Sequence, residues 1–140
     1  MTLFSSTAEY ALRAVVELAR ADGGPLTADE IARRTDAPTG YLSKILRRLT
    51  RAGLLRAQRG IGGGFALTQP SREIPALSIV AAVDGGVARI ESCPLGGCDG
   101  PGLCPLHTLL DRAAANLESA LASTSIADLI PRQGVDQPRG

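Results

Sequence analysis

A chain of 140 residues, 44% hydrophobic but with two Phe, two Tyr and no Trp, is one domain plus an arm, with a core of Leu, Ile, Val and Ala that suits packed helices. Its apolar runs are too short to span a bilayer, and its start lacks the basic region and unbroken apolar stretch of a secretion signal, so the expectation is a cytoplasmic protein with no membrane partner. The net charge of +1 says little, but its distribution is uneven: residues 1–72 hold eleven Lys/Arg against six Asp/Glu, and residues 73–140 hold four against eight.

Ser6-Thr-Ala-Glu9 reads as a capping box. It opens a helix with Tyr10, Ala14, Val15, Leu18 and Ala19 along one side, ended by Asp22-Gly-Gly. Thr27-Ala-Asp-Glu30 is a second capping box and starts a short helix over about 28–35, with Ile31 and Ala32 inward. Asp36-Ala-Pro38 turns the chain, with Pro38 suited to the first helical position. The next helix runs to about Arg51. Leu42, Ile45, Leu46 and Leu49 repeat at i, i+3, i+4 and i+7 and form one buried stripe, while Thr39, Tyr41, Ser43, Lys44, Arg47, Arg48 and Arg51 fall on the remaining faces.

Helix, short turn and a helix that is basic outside is the pattern of a helix-turn-helix, whose second helix enters the major groove. From Lys44 to Arg59 there are six basic residues and no acid. Thr39, Tyr41 and Lys44 then lie nearest the bases, Arg47, Arg48 and Arg51 nearer phosphate, and Ser43 completes the DNA-binding set. Leu54–Gln58 and Phe65–Thr68 read as two short strands joined by Arg59-Gly-Ile-Gly-Gly-Gly64, a wing. Its glycines, Gly60 among them, permit close approach to a DNA backbone or minor groove, into which Arg59 could insert. The glycine spacing fits neither a dinucleotide fingerprint nor a P-loop.

Pro75 to Val83 is a short helix stopped by Gly85-Gly86, and Val87–Ser92 leads into a stretch that holds all three cysteines and the sole histidine: Cys93-Pro-Leu-Gly-Gly-Cys98-Asp-Gly-Pro-Gly-Leu-Cys104-Pro-Leu-His107. Thiolate and imidazole suit iron, zinc or an iron–sulfur cluster, and the intervening Gly, Pro and Asp favour a loop. An odd cysteine count with no sign of export argues against a disulfide. Spacing alone does not separate zinc from a cluster. Pro105 begins a long helix to about Ala122, where Leu106, Leu110, Ala113, Leu117 and Ala120 approach a coiled-coil seam, so a second copy is the expected partner. Ser125-Ile-Ala-Asp128 caps a last turn, Pro131 ends it, and the polar residues 132–140 predict a disordered tail. No Ser/His/Asp or paired-carboxylate set points to an enzyme.

The expected fold is therefore mainly α: a winged helix-turn-helix over residues 1–72 (helix-turn-helix 28–51, wing 54–68), then a cysteine loop (93–107) and dimerisation helix (105–122) within 73–131. With the opening Ser-Thr-Ala-Glu-Tyr-Ala-Leu-Arg, Gly40-Tyr-Leu-Ser-Lys-Ile-Leu, the wing Arg59-Gly-Ile-Gly-Gly-Gly-Phe and Cys93, Cys98 and Cys104, the sequence resembles the Rrf-type winged helix-turn-helix transcription regulators, the family of the IscR- and NsrR-like iron–sulfur regulators. The likeness covers about residues 1–131.

The resemblance implies a homodimer on double-stranded promoter DNA, most often a repressor. It implies an iron–sulfur cluster on Cys93, Cys98 and Cys104 that sets DNA affinity and responds to redox state, nitric oxide or iron supply. Two-iron two-sulfur is the first expectation and four-iron four-sulfur the second. His107 matches the fourth-ligand position of IscR-like members, and Glu9 the acidic position that reaches across the dimer in NsrR-like members. The four-residue gap between Cys93 and Cys98 is shorter than the family pattern and bears on cluster type. A zinc-bound or cluster-free regulator of the same fold is the alternative, and an electron-transfer protein on a winged-helix scaffold is the alternative of another class.

Overall fold

The computed structural model describes residues 4–88, 95–96 and 104–132. Five helices, α1 (Ser6–Arg20), α2 (Ala28–Thr35), α3 (Thr39–Arg51), α4 (Ala76–Asp84) and α5 (Pro105–Ala122), surround one antiparallel pair, β1 (Leu55–Gln58) and β2 (Gly64–Leu67). The fold is mainly α with a two-stranded wing, as expected. Single 3₁₀ turns at Ser71–Glu73 and Ala127–Leu129 flank the second half. The predicted segment Val87–Ser92 is described only to Ala88, and the tail from Gln133 lies outside the described residues.

The start of α1 differs from the sequence reading. Ser5, not Ser6, is the cap: it is extended (ψ 156°) and its Oγ accepts the Ala8 N–H at 3.0 Å. Ser5, Ser6 and Thr7 are locally equivalent capping residues, so tertiary structure decides, and the Ser5 hydroxyl donates to Asp84 Oδ2 at 2.6 Å. The buried stripe is accordingly Ala8, Ala11, Ala14, Val15 and Leu18, with Tyr10 and Ala19 at its edges. The small alanines let α1 lie close to α4, α2 and α3, all of which pack on it.

The second cap is as read: Thr27 Oγ1 accepts the Glu30 N–H at 3.2 Å. Ile31 and Ala32 point into the core, and Asp36, left-handed at φ 55°, turns the chain. Pro38 occupies the N-cap of α3 rather than its first turn. Leu42, Ile45, Leu46 and Leu49 are all buried, which fixes the rotation of α3 and sends its basic face outward.

The wing is pinned to the body. Leu26 forms a one-residue bridge to β2, donating to the Phe65 carbonyl at 3.0 Å and accepting from the Phe65 N–H at 2.7 Å. At Gly64 (φ 137°) a Cβ would stand 2.3 Å from the Leu26 carbonyl oxygen, and at Gly63 one would stand 2.4 Å from that of Gln58. These two glycines are thus required by the fold itself, not by DNA. The chain closes on itself at the other end: Ala76 N–H donates to Thr124 O at 2.8 Å and Ile126 N–H to Ile74 O at 2.9 Å, with Ile74 and Ile126 both in the core. The following turn is capped reciprocally, Ser125 N–H to Asp128 Oδ2 (2.9 Å) and Asp128 N–H to Ser125 Oγ (3.2 Å).

Of α5, only His107 and Leu121 are buried. Leu109 is 61% exposed, Leu110 is exposed as well, and Leu106 and Leu117 are half-covered. Within one chain the predicted seam is therefore largely open. No helix among the described residues is long and apolar enough to cross a membrane.

Candidate nucleic-acid interface and cysteine loop

At about 100° per residue in an α-helix, Gly40, Lys44, Arg47 and Arg51 line up in one strip opposite the buried leucines of α3, and all four are exposed. Thr39 is exposed beside them at the helix start. Gly40 opens the Gly40-Tyr-Leu-Ser-Lys-Ile-Leu stretch, and the sequence gives it no contact role of its own. A Cβ there would meet nothing within 4 Å, so the fold gives no reason for glycine, which is a poor helix former; the bare position leaves room for an incoming surface.

Three of the other predicted contacts have internal partners. Tyr41 is half-buried, its hydroxyl shares a hydrogen bond with the Thr7 hydroxyl, and its ring meets Tyr10 edge-on at 5.7 Å between centroids. Ser43 Oγ donates back to the Thr39 carbonyl at 2.9 Å. Arg48 Nη1 donates to the Val83 carbonyl at the end of α4, 3.1 Å away. The free cationic strip is narrower than composition suggests: Lys44, Arg47 and Arg51 on α3, with Arg56 and Arg59 exposed on the wing. At the wing tip, Gly60 (φ 96°) and Gly62 (φ 78°) have open space around them.

Of the candidate ligands, Cys93 and Cys98 lie outside the described residues. Cys104 is the N-cap of α5, and its Sγ accepts the His107 N–H at 3.4 Å. His107 sits three residues on and is only 6% exposed, not the solvent-facing residue its position could equally have given. Glu9 is not a helix cap, since Ser5 fills that place. Its carboxylate takes a 2.7 Å ion pair from Arg13, whose guanidinium lies 5.4 Å from the Tyr10 ring centroid. A sulfur at the helix N-cap and a sheltered imidazole three residues on are two donors whose chemistry suits an iron–sulfur cluster and zinc equally, and no group of three such ligands meets among the described residues.

Residues 4–132 match the model of a family described as Rrf2, an iron-dependent transcriptional regulator. The chain is 36% identical over 129 residues to an HTH-type transcriptional regulator of Mycobacterium tuberculosis (89% of this chain, 79% of the relative). It is 30% identical over 132 residues to the HTH-type transcriptional regulator IscR of Serratia proteamaculans (94% and 80%). Among solved structures it is similar to CymR, the global cysteine regulator of B. subtilis, with a TM-score of 0.78 at 27% identity, covering 92% of this chain and 96% of that one.

Proposed function

Because the chain belongs to the Rrf2 family of transcriptional regulators, we propose that it is a homodimeric promoter-binding regulator, a repressor, whose grip on DNA is set by an iron–sulfur cluster held on Cys93, Cys98 and Cys104 with His107 as fourth ligand. That it is a DNA-binding transcription regulator and not an enzyme follows from the family itself. The electron-carrier alternative is set aside on the same ground.

One observation carries the finer reading. The chain's sole imidazole, nearly inaccessible, stands in the first turn of the helix whose N-cap is the last of the three cysteines in the sequence. When bound, the cluster supplies a group sensitive to oxidants, nitric oxide and iron supply. The chain's own residues do the rest. Cys104 fixes the start of α5, and the His107 N–H bonds its sulfur in the first turn. Leu106, Leu109 and Leu110 offer their apolar side to a second copy. Two α3 helices then meet half-sites about one helical turn, ~34 Å, apart. Arg47 and Arg51 contribute phosphate contacts, Thr39, Lys44 and the bare Gly40 face the base edges, and Arg59 reaches the minor groove from the wing. If cluster state changes DNA affinity, DNA must change cluster retention by the same factor.

A second reading has support of its own: the similar structure from B. subtilis is that of a cysteine regulator, which favours control without a cluster. Oxygen-free purification with an absorption spectrum and iron and sulfide assays, followed by DNA titration before and after chelation, separates the two. Coloured protein with matching iron and sulfide, and an affinity that shifts on iron removal, supports the cluster reading. Colourless protein with one zinc per chain, or unchanged affinity without iron, overturns it.

A further inference from the structure

The wing tip carries an apolar side chain that the interface described above does not use. Gly63 N–H donates to the Gly60 carbonyl at 3.0 Å, closing a four-residue turn, and Gly62, third in it, has φ 78°. These are the marks of a type II turn with Ile61 at its second position. The turn is stiff: β1 and β2 are paired down to Gln58 and Gly64, Gly63 packs onto the Gln58 carbonyl, and Leu26 clamps β2 from the other side. Ile61 stands on this rigid apex, fully exposed.

A single exposed Ile is unremarkable on most surfaces. Here its place matters. A water-facing turn ordinarily takes Asp, Asn, Ser or Pro at this point. Ile61 instead follows Arg59 and Gly60, on a hairpin whose first strand packs against α3. Positive charge beside a projecting apolar side chain, on a tip otherwise made of glycine, matches a DNA groove: phosphates flank it, and its floor of sugar and base edges accepts aliphatic contact.

We infer that Ile61 is a specificity-determining residue that lies in the minor groove beside Arg59, pressing its aliphatic side chain against the groove floor and so reading groove shape. This rests on the DNA-binding function and not on any cluster. An apolar probe in a narrow groove disfavours any group projecting from its floor, so the contact discriminates A·T pairs from pairs bearing the guanine amino group.

The test uses duplexes recovered by the wild-type protein from a random-sequence pool, titrated at several salt concentrations with wild type, Ile61→Ala and Arg59→Gln. A second set of the same duplexes has adenine under the wing replaced by diaminopurine, which adds an amino group to the minor groove alone. Ile61→Ala should bind about tenfold more weakly with the wild-type salt slope, whereas Arg59→Gln should reduce that slope by about one. Diaminopurine should weaken wild type by a similar factor and leave Ile61→Ala nearly unaffected. Unchanged affinity of Ile61→Ala overturns the inference, as does a full-sized loss that persists on diaminopurine DNA. So does a loss that follows a change in oligomeric state, measured in parallel by sedimentation, which would place a protein partner on Ile61. Failure of the wild type to select any duplex would sink the DNA-binding reading itself, a different outcome from either.

Discussion

Arg48, on the basic helix, donates its guanidinium N–H to the carbonyl of Val83, 35 residues away at the end of α4. That carbonyl belongs to the last turn of a helix, where no intrahelical donor remains, and the cation also sits favourably at the negative end of the α4 dipole. Arg48 and its neighbour Arg47 are therefore unlike. Arg48→Ala should lower unfolding free energy by about 1 kcal/mol. Arg47→Ala should leave stability unchanged within about 0.5 kcal/mol and lower the salt slope of DNA binding by about one. Urea titration and binding at graded salt read the two effects, and equal behaviour of the two variants would contradict the distinction.

The wing glycines divide in the same way. Gly64→Ala places a methyl against the Leu26 carbonyl in a backbone conformation that L-residues avoid and should cost about 3 kcal/mol. Gly62→Ala meets only the conformational cost, about 1 kcal/mol, because the space around it is open. Denaturation midpoints that fell equally for both would show that the Leu26 bridge does not constrain the wing.

Cys104→Ser is a clean probe of the thiol, since serine is itself a good N-cap and should leave α5 intact by circular dichroism. On the proposed function it abolishes iron retention. His107→Ala should alter the absorption spectrum of oxygen-free protein, while Glu9→Gln, which removes only the charge paired with Arg13, should not. A spectrum changed by Glu9→Gln and indifferent to His107→Ala would exchange the two residues' roles.

The exposed leucines of α5 predict the assembly. Leu109→Glu combined with Leu110→Glu should give a monomer by sedimentation with unchanged helix content, because neither side chain is needed to fill the core of one chain. A dimer that survives this pair must use another surface.

Asp128 gives a pH dependence. The Ser125 backbone N–H, followed by the Ser125 hydroxyl, holds its carboxyl below the ordinary value of 3.8. A depressed folded-state pKa means stability that is present above the unfolded pKa and lost as pH falls through the folded one. Asp128→Asn should therefore differ from wild type in melting temperature near neutral pH, and the difference should shrink below about pH 4. A difference that stayed constant into acid would assign the effect to packing instead.

Much of this architecture could be read from residue order. The buried stripe of α3, the cap at Thr27, the stop of α4 at Gly85 and the bounds of α5 all follow from periodicity, Pro and Gly. What escaped depends on contacts distant in sequence. Three consecutive hydroxyl residues could each begin α1, and only Asp84 selects Ser5. Nothing local shows that Leu26 pairs with Phe65, or that Tyr41 leans on Tyr10. The candidate site was legible in its chemistry, since clustered thiols are visible in any order of folding. The shelter of His107 was not, because one first-turn residue can face either way until the rest of the chain packs.

The hydrogen bonds joining residues 74–76 to 124–126 have an evolutionary corollary. They tie the start of α4 to the end of α5, while α4 itself stays packed on α1 and α3. With both helices held independently of the stretch that joins them, lengthening or shortening that stretch costs little closure entropy. A lineage can therefore alter the cysteine spacing while α3 and the hairpin keep their places.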